Sequence, residues 1–174
     1  MKFWLSSVLL FVLAVYIDAH LVNIQDCGGI RRFNCESTRY CPVQFDLERC
    51  NNPKICSVRR GAKYNINVRF QWGNEGSGVF KVDRILTGVL GSMFGKMEID
   101  YETRNACISA GAKRRCRREV MLNPGTWYTA VDKFNIPQLG SYGMKFGAKY
   151  QLVTKGPNGA RITLLCALMR VKLE

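Results

Sequence analysis

Eight cysteines behind an export signal constrain this chain more than anything else in it: Cys27, Cys35, Cys41, Cys50, Cys56, Cys107, Cys116 and Cys166. An even count in an exported protein reads as four disulfides in an oxidised, extracytoplasmic domain. The signal has a positive start at Lys2, an apolar run from Phe3 to Ile17 and a small residue, Ala19, at which to cleave. That run is too short to span a bilayer comfortably, so cleavage is expected in preference to an uncleaved anchor. Residues 1–19 read as a signal peptide, and residues 20–174 as one domain long enough to bury a core. No second long apolar run follows, and a soluble monomer is expected.

Charge comes next. The formal net charge is +13, and losing Lys2 and Asp18 with the signal leaves it there. Such an excess favours anionic partners. The basic residues are dispersed and no nucleic-acid-reading motif accompanies them, so nucleic acid is not an expected partner. Catalysis has little support. His20 is the one histidine, and nucleophilic mechanisms need an imidazole held beside the nucleophile. With the cysteines paired, no thiolate set remains for zinc. A binding protein is expected, without catalytic residues, metal or cofactor.

The clearest strand is Lys63 to Phe70, where Tyr64, Ile66, Val68 and Phe70 alternate with polar residues. Period two buries one face and wets the other. Val79 to Leu86 puts Phe80 and Val82 on one face, and Met97 to Tyr101 is a short candidate. Asn123-Pro124-Gly125 is a turn signal that launches Trp127 to Phe134. Lys145 to Val153 and Arg161 to Val171 follow, parted by Gly156-Pro157-Asn158-Gly159. Ile162 to Met169 is apolar on both faces, as a central covered strand would be. Two places fit less well. Thr87 to Lys96 is glycine-rich yet, with the residue after it, carries Val89, Leu90, Met93, Phe94 and Met97 at near-helical spacing; it reads as a loop filling a gap, with an apolar flap over a cavity as the sharper alternative. Asp132 falls on the apolar face of its strand, so either the register shifts there or a carboxylate lies near a cavity mouth. Short strands at regular spacing, without a convincing long amphipathic helix, give an all-β, immunoglobulin-like antiparallel β-sandwich.

Several segments together resemble one family. Asp26-Cys27-Gly28-Gly29 stands shortly after the signal. Cys50 to Cys56 encloses five residues and is followed by Arg60-Gly61 and the alternating strand. Asn105-Ala106-Cys107 with Cys116, Asn135-Ile136-Pro137 and Leu165-Cys166-Ala167 complete the order. This arrangement is similar to the ML lipid-recognition domains, a family that includes the Niemann-Pick type C lumenal sterol carrier and the mite group 2 allergens. The resemblance implies the bridges Cys27–Cys166, Cys50–Cys56 and Cys107–Cys116, leaving Cys35–Cys41 as an extra pair. The chain departs from the family's pattern in three places. The stretch from Cys27 to Cys50 is longer than usual and holds Arg31-Arg32; Cys116-Arg117-Arg118 replaces a common Cys-Pro-Leu; and the Cys107–Cys116 loop is expanded around Lys113-Arg114-Arg115.

The resemblance also implies a lipid cavity between the two sheets, walled by Tyr64, Ile66, Val68, Phe70, Phe80, Val82, Tyr128, Phe134, Ile136, Phe146, Tyr150 and Leu152. A lipid leaving water gains about 25 cal/mol per Å² of apolar surface, so such a wall needs few polar groups. A sealed core uses the same side chains, and their identities do not separate the two. Lys113, Arg114, Arg115, Arg117 and Arg118 form a second candidate site, for docking on anionic membranes or holding a lipid phosphate; a solvated loop is the plainer reading. The implied function is a secreted or lysosome-lumenal carrier of one hydrophobic lipid, a sterol first, with a fatty-acid-like molecule as the other ligand class. The alternatives are innate-immune capture of lipopolysaccharide or another acidic lipid, and a basic secreted effector acting through its surface.

Overall fold

The computed structural model describes residues 21–29, 42–73, 76–92, 95–110, 119–136, 138, 140–156 and 158–174. Its elements are all strands: β1 Ile24–Asp26, β2 Val43–Leu47, β3 Cys56–Val58, β4 Lys63–Gln71, β5 Gly78–Lys81, β6 Asp83–Ser92, β7 Gly95–Asn105, β8 Ile108–Ala110, β9 Glu119–Leu122, β10 Trp127–Asn135, β11 Lys145–Lys155 and β12 Arg161–Leu173. One sheet has the order β1-β12-β11-β6-β7, with β3 also on β12. The other runs β2-β4-β10-β8, and β5 with β9 makes a two-stranded ribbon. Every pairing is antiparallel except β3 with β12.

The sheets stack as a sandwich because their long strands carry apolar faces that bury against one another. On β4 the burial alternates residue by residue, with Tyr64, Ile66, Val68 and Phe70 inside. β10 lies alongside from Trp127↔Gln71 to Asn135↔Lys63 without a slip. Its entry is a type II turn: Thr126 N–H donates to Asn123 O, Pro124 presets the first central residue, and Gly125 takes φ 75°. From the other sheet, Ala148, Tyr150 and Leu152 of β11 and Leu164, Leu165 and Ala167 of β12 join the same core. Phe45 on β2 meets Tyr150 on β11 edge-to-face at 5.4 Å, which ties the layers together.

Two expected elements differ. The run from Val79 to Leu86 is not one strand. It breaks at Val82, where β5 leaves for the ribbon with β9 and β6 enters the larger sheet. Nor is Thr87 to Lys96 a loop: β6 continues through it to Ser92, and β7 returns from Gly95. Glycines at 88, 91 and 95 diluted the alternation that would have marked the hairpin.

Cys27 is bonded to Cys166 and Cys50 to Cys56, with Cα separations of 5.2 and 5.1 Å, as the resemblance implied. Cys107 is also disulfide-bonded. Its expected partner Cys116, the Cys35–Cys41 pair and the basic run Lys113 to Arg118 lie outside the described residues.

Candidate functional site

The expected lipid wall falls between the sheets. Tyr64, Ile66, Val68, Phe70, Val82, Tyr128, Ile136, Tyr150 and Leu152 are all buried in one core cluster, and Phe80 and Phe146 pack against it half-buried. Phe134 pairs with Tyr64 in the β10–β4 ladder; its side chain is outside the described set. Phe70 stacks on Tyr128 at 5.7 Å, and Trp72 meets Phe80 at 5.7 Å. The tyrosines bury their rings but keep partners for their hydroxyls, as buried phenols must. Tyr64 Oη accepts from the Arg59 amide at 2.9 Å. Tyr128 donates to Met121 O at 2.9 Å and accepts from the Asn123 amide at 2.8 Å, holding the turn before its own strand.

Tyr150 is different. Its hydroxyl crosses the sandwich and donates to Asp132 Oδ2 at 2.9 Å. Arg84 Nε, on β6, lies 3.3 Å from the same oxygen, with the Arg84 side chain 1% exposed and Asp132 10%. The register of β10 does not shift at Asp132, which pairs with Ile66. A carboxylate therefore stands inside, and Arg84 balances it. Burial pushes the Tyr150 phenol well above its usual range; the Asp132 charge and hydrogen bond add to this, and Arg84 opposes it. The phenol thus keeps its proton and its role as donor. Sequence reading picked out Asp132 and missed Arg84. The available signal was Asp132 itself, since an inward carboxylate in an oily core demands a buried cation.

Away from this cluster the inner face opens. Residues directly opposite in an antiparallel pair share a face, so Ala148↔Gly88 and Gly88↔Ile99, then Leu90↔Met97, continue the inward side of the larger sheet. Here Ile99 is 39% exposed and Met97 54%. The opposite side is polar, with Lys149 paired to Glu98 and Thr87 donating to Asp100 Oδ1 at 2.6 Å. The inward side of the β6–β7 hairpin is thus apolar and, at Met97 and Ile99, exposed. A separate depression of about 660 Å³ lies beside the β5–β9 ribbon, lined by Val79, Phe80, Lys81, Asp83, Asn105, Glu119, Thr154, Lys155, Gly156 and Ile162. Of the expected wall it contains only Phe80, and its charges suit it poorly to a hydrocarbon.

The fold is similar to that of a Niemann-Pick type C2 protein. One match is the protein from Japanese carpenter ant, at 14% identity and TM-score 0.54, covering 87% of this chain and 99% of that one. Spo0M, the sporulation control protein of Bacillus subtilis, is similar over 76% of this chain and 48% of its own, at 12% identity and TM-score 0.48; that likeness carries no argument. No protein-family model matches the sequence, and comparison with curated proteins gives no match. The all-β sandwich expected from the strand pattern is therefore the fold found, and the comparison speaks to the fold alone.

Proposed function

We propose that the protein is an exported carrier that binds one hydrophobic lipid, a sterol first, between its two sheets. The observation that carries the reading is the exposed apolar pair Met97 and Ile99, which lies on the same face of the larger sheet as the large apolar side chains of the sandwich interior. A purely structural sandwich gains nothing by leaving that stripe in water. The Niemann-Pick type C2 fold supports the reading, as do the family-like motifs from Cys27 to Cys166. Oxidised cysteines support a secreted or lumenal site of action. Carriage of a lipid needs no catalysis, and the protein acts as a monomer.

The test is native mass spectrometry of the secreted, disulfide-bonded protein, with identification of whatever lipid travels with it. A bound neutral lipid supports the carrier. One specific observation favours a second reading: net charge +13 with five cations between Lys113 and Arg118, which suits capture of an acidic lipid. Neutralising Lys113, Arg114, Arg115, Arg117 and Arg118 separates the two. A carrier keeps its lipid affinity and loses only salt-sensitive transfer to anionic vesicles, whereas a sensor of acidic lipid loses binding itself. A protein that binds no lipid of either kind is a surface effector.

A further inference from the structure

The depression beside the β5–β9 ribbon lies at the end of the larger sheet away from Met97 and Ile99, where β6 begins and β7 and β11 finish. Its volume of about 660 Å³ is that of a small-ligand site. Five polar side chains line it: Lys81, Asp83, Asn105, Glu119 and Lys155. Among the described residues, no hydrogen bond or ion pair engages any of these five side chains. Lys81 and Glu119 stand directly opposite each other in the ribbon and still do not pair. Thr154, also in the lining, is by contrast engaged, its hydroxyl donating to Lys81 O at 2.9 Å.

The apolar part of the same lining is held in place. Phe80, half-buried, meets the Trp72 ring at 5.7 Å. Its ring also lies over Gly78, where any Cβ would come within 2.9 Å of it. A side chain at position 78 would push the ring aside, and glycine lets it settle. Ile162 is seated in the same way, since a Cβ on Gly156 would come within 2.9 Å of its Cδ1. The depression thus joins a fixed aromatic ring and a fixed aliphatic side chain to donors and acceptors that the fold does not use.

We infer that this depression is a second binding site, and that its ligand is a neutral saccharide. The signs of the lining decide the class. Two cations and two carboxylates stand with opposite charges side by side: Lys81 faces Glu119, and Asp83 faces Val153, two residues from Lys155. A metal ion or an inorganic anion would meet a like charge wherever it settled, and a zwitterion would find no positive end and negative end to span. An uncharged ligand rich in hydroxyls avoids both costs. Its hydroxyls donate to Asp83 and Glu119 and accept from Lys81, Lys155 and the Asn105 amide. Such charge-assisted bonds are stronger than neutral ones and take no second charge out of water. A pyranose also carries an apolar C–H face, the half that an aromatic ring such as Phe80 covers. None of the five polar residues belongs to the lipid wall, so the site stands whether or not a lipid lies between the sheets.

The experiment titrates the isotope-labelled, fully oxidised secreted protein with methyl glycosides of the common neutral pyranoses, N-acetylated ones included. Phosphate, calcium and phosphocholine serve as charged probes. At least one glycoside is expected to bind with a millimolar Kd or tighter and to shift the amide signals of residues 79–83, 105, 119 and 154–156, while the charged probes leave those signals in place. Asp83→Ala/Asn105→Ala replaces one half-buried and one exposed side chain, and its fold is verified by its β spectrum. It should weaken the glycoside about tenfold or more and leave fluorescent-sterol binding as in wild type. Neutral vesicles bearing the same sugar on a lipid identify the source. Retention on them beyond the affinity for the free glycoside points to a membrane glycolipid, and equal affinity to a soluble glycan. The inference is overturned if no glycoside binds, if the double replacement leaves glycoside affinity unchanged, or if a charged probe fills the depression instead. The lipid carrier is tested separately, by the lipid found in native mass spectrometry.

Discussion

Arg84 and Asp132 bind their fates together, so removing one is expected to cost far more than removing both. Arg84→Ala takes the cation from beside a carboxylate that is 10% exposed, at a cost of about 3–5 kcal/mol. Arg84→Met/Asp132→Leu/Tyr150→Phe removes the three polar groups together and should unfold within about 1 kcal/mol of wild type or above it. Urea unfolding of the two variants measures the contrast, and equal losses would mean the pair is not buried as described. Tyr150 adds a dependence on pH. Its pKa is raised in the folded state by burial, then by Asp132, so the folded protein holds a proton that the unfolded chain releases above about pH 10. Stability from this residue is therefore constant below that pH and falls as pH rises beyond it. Tyr150→Phe should flatten the alkaline limb of a plot of stability against pH. A limb of unchanged slope would show that another group titrates there.

At the scale of elements, the β6–β7 hairpin carries the sharpest expectation. Met97 and Ile99 are exposed, so Met97→Ser/Ile99→Ser should change stability by no more than about 0.5 kcal/mol per site. If the hairpin edge is where lipid enters, the same variant takes up fluorescent sterol from vesicles markedly more slowly. Uptake at the wild-type rate would move the entrance elsewhere. The hairpin also shows where sequence reading stops. Alternation identified β4 and a shared apolar face β10, while β12 stood out as a run apolar on both faces, parted from β11 by a turn signal. In β6 the inward residues are Arg84, Leu86, Gly88 and Leu90, and neither a buried arginine nor a glycine registers as apolar. The short strands β1, β3, β8 and β9 are held by partners distant in sequence, and nothing local marks them. The wall residues on β4 and β11 could be named in advance. Whether they enclose a core or a cavity depends on the spacing of the sheets, which side-chain type does not encode.

For the whole molecule, the Cys27–Cys166 bridge spans 139 residues and fastens the turn after β1 to the middle of β12. Closing so long a loop removes much of the freedom of the unfolded chain, so Cys27→Ala/Cys166→Ala should lower stability by about 4–5 kcal/mol. Thermal unfolding of that variant beside wild type tests it; a loss under about 1 kcal/mol would mean the pairings of β12 alone hold the ends of the domain.

β12 is also the hub of the larger sheet, bonding to β1, β3 and β11 and carrying Cys166. All of these partners precede it in the chain. Synthesis delivers residues in order, so β1, β3 and the Cys27 thiol wait for the last strand, while β11 already has β6 beside it. During that wait Cys27 is within reach of nearer cysteines, beginning with Cys35. Its productive partner is the most distant one. Exchange of any early crosslink for the long one, a process of seconds to hours that oxidoreductases accelerate, is expected to pace maturation. The yield of folded protein from a cell should therefore follow that cell's capacity to isomerise disulfides more closely than its rate of synthesis.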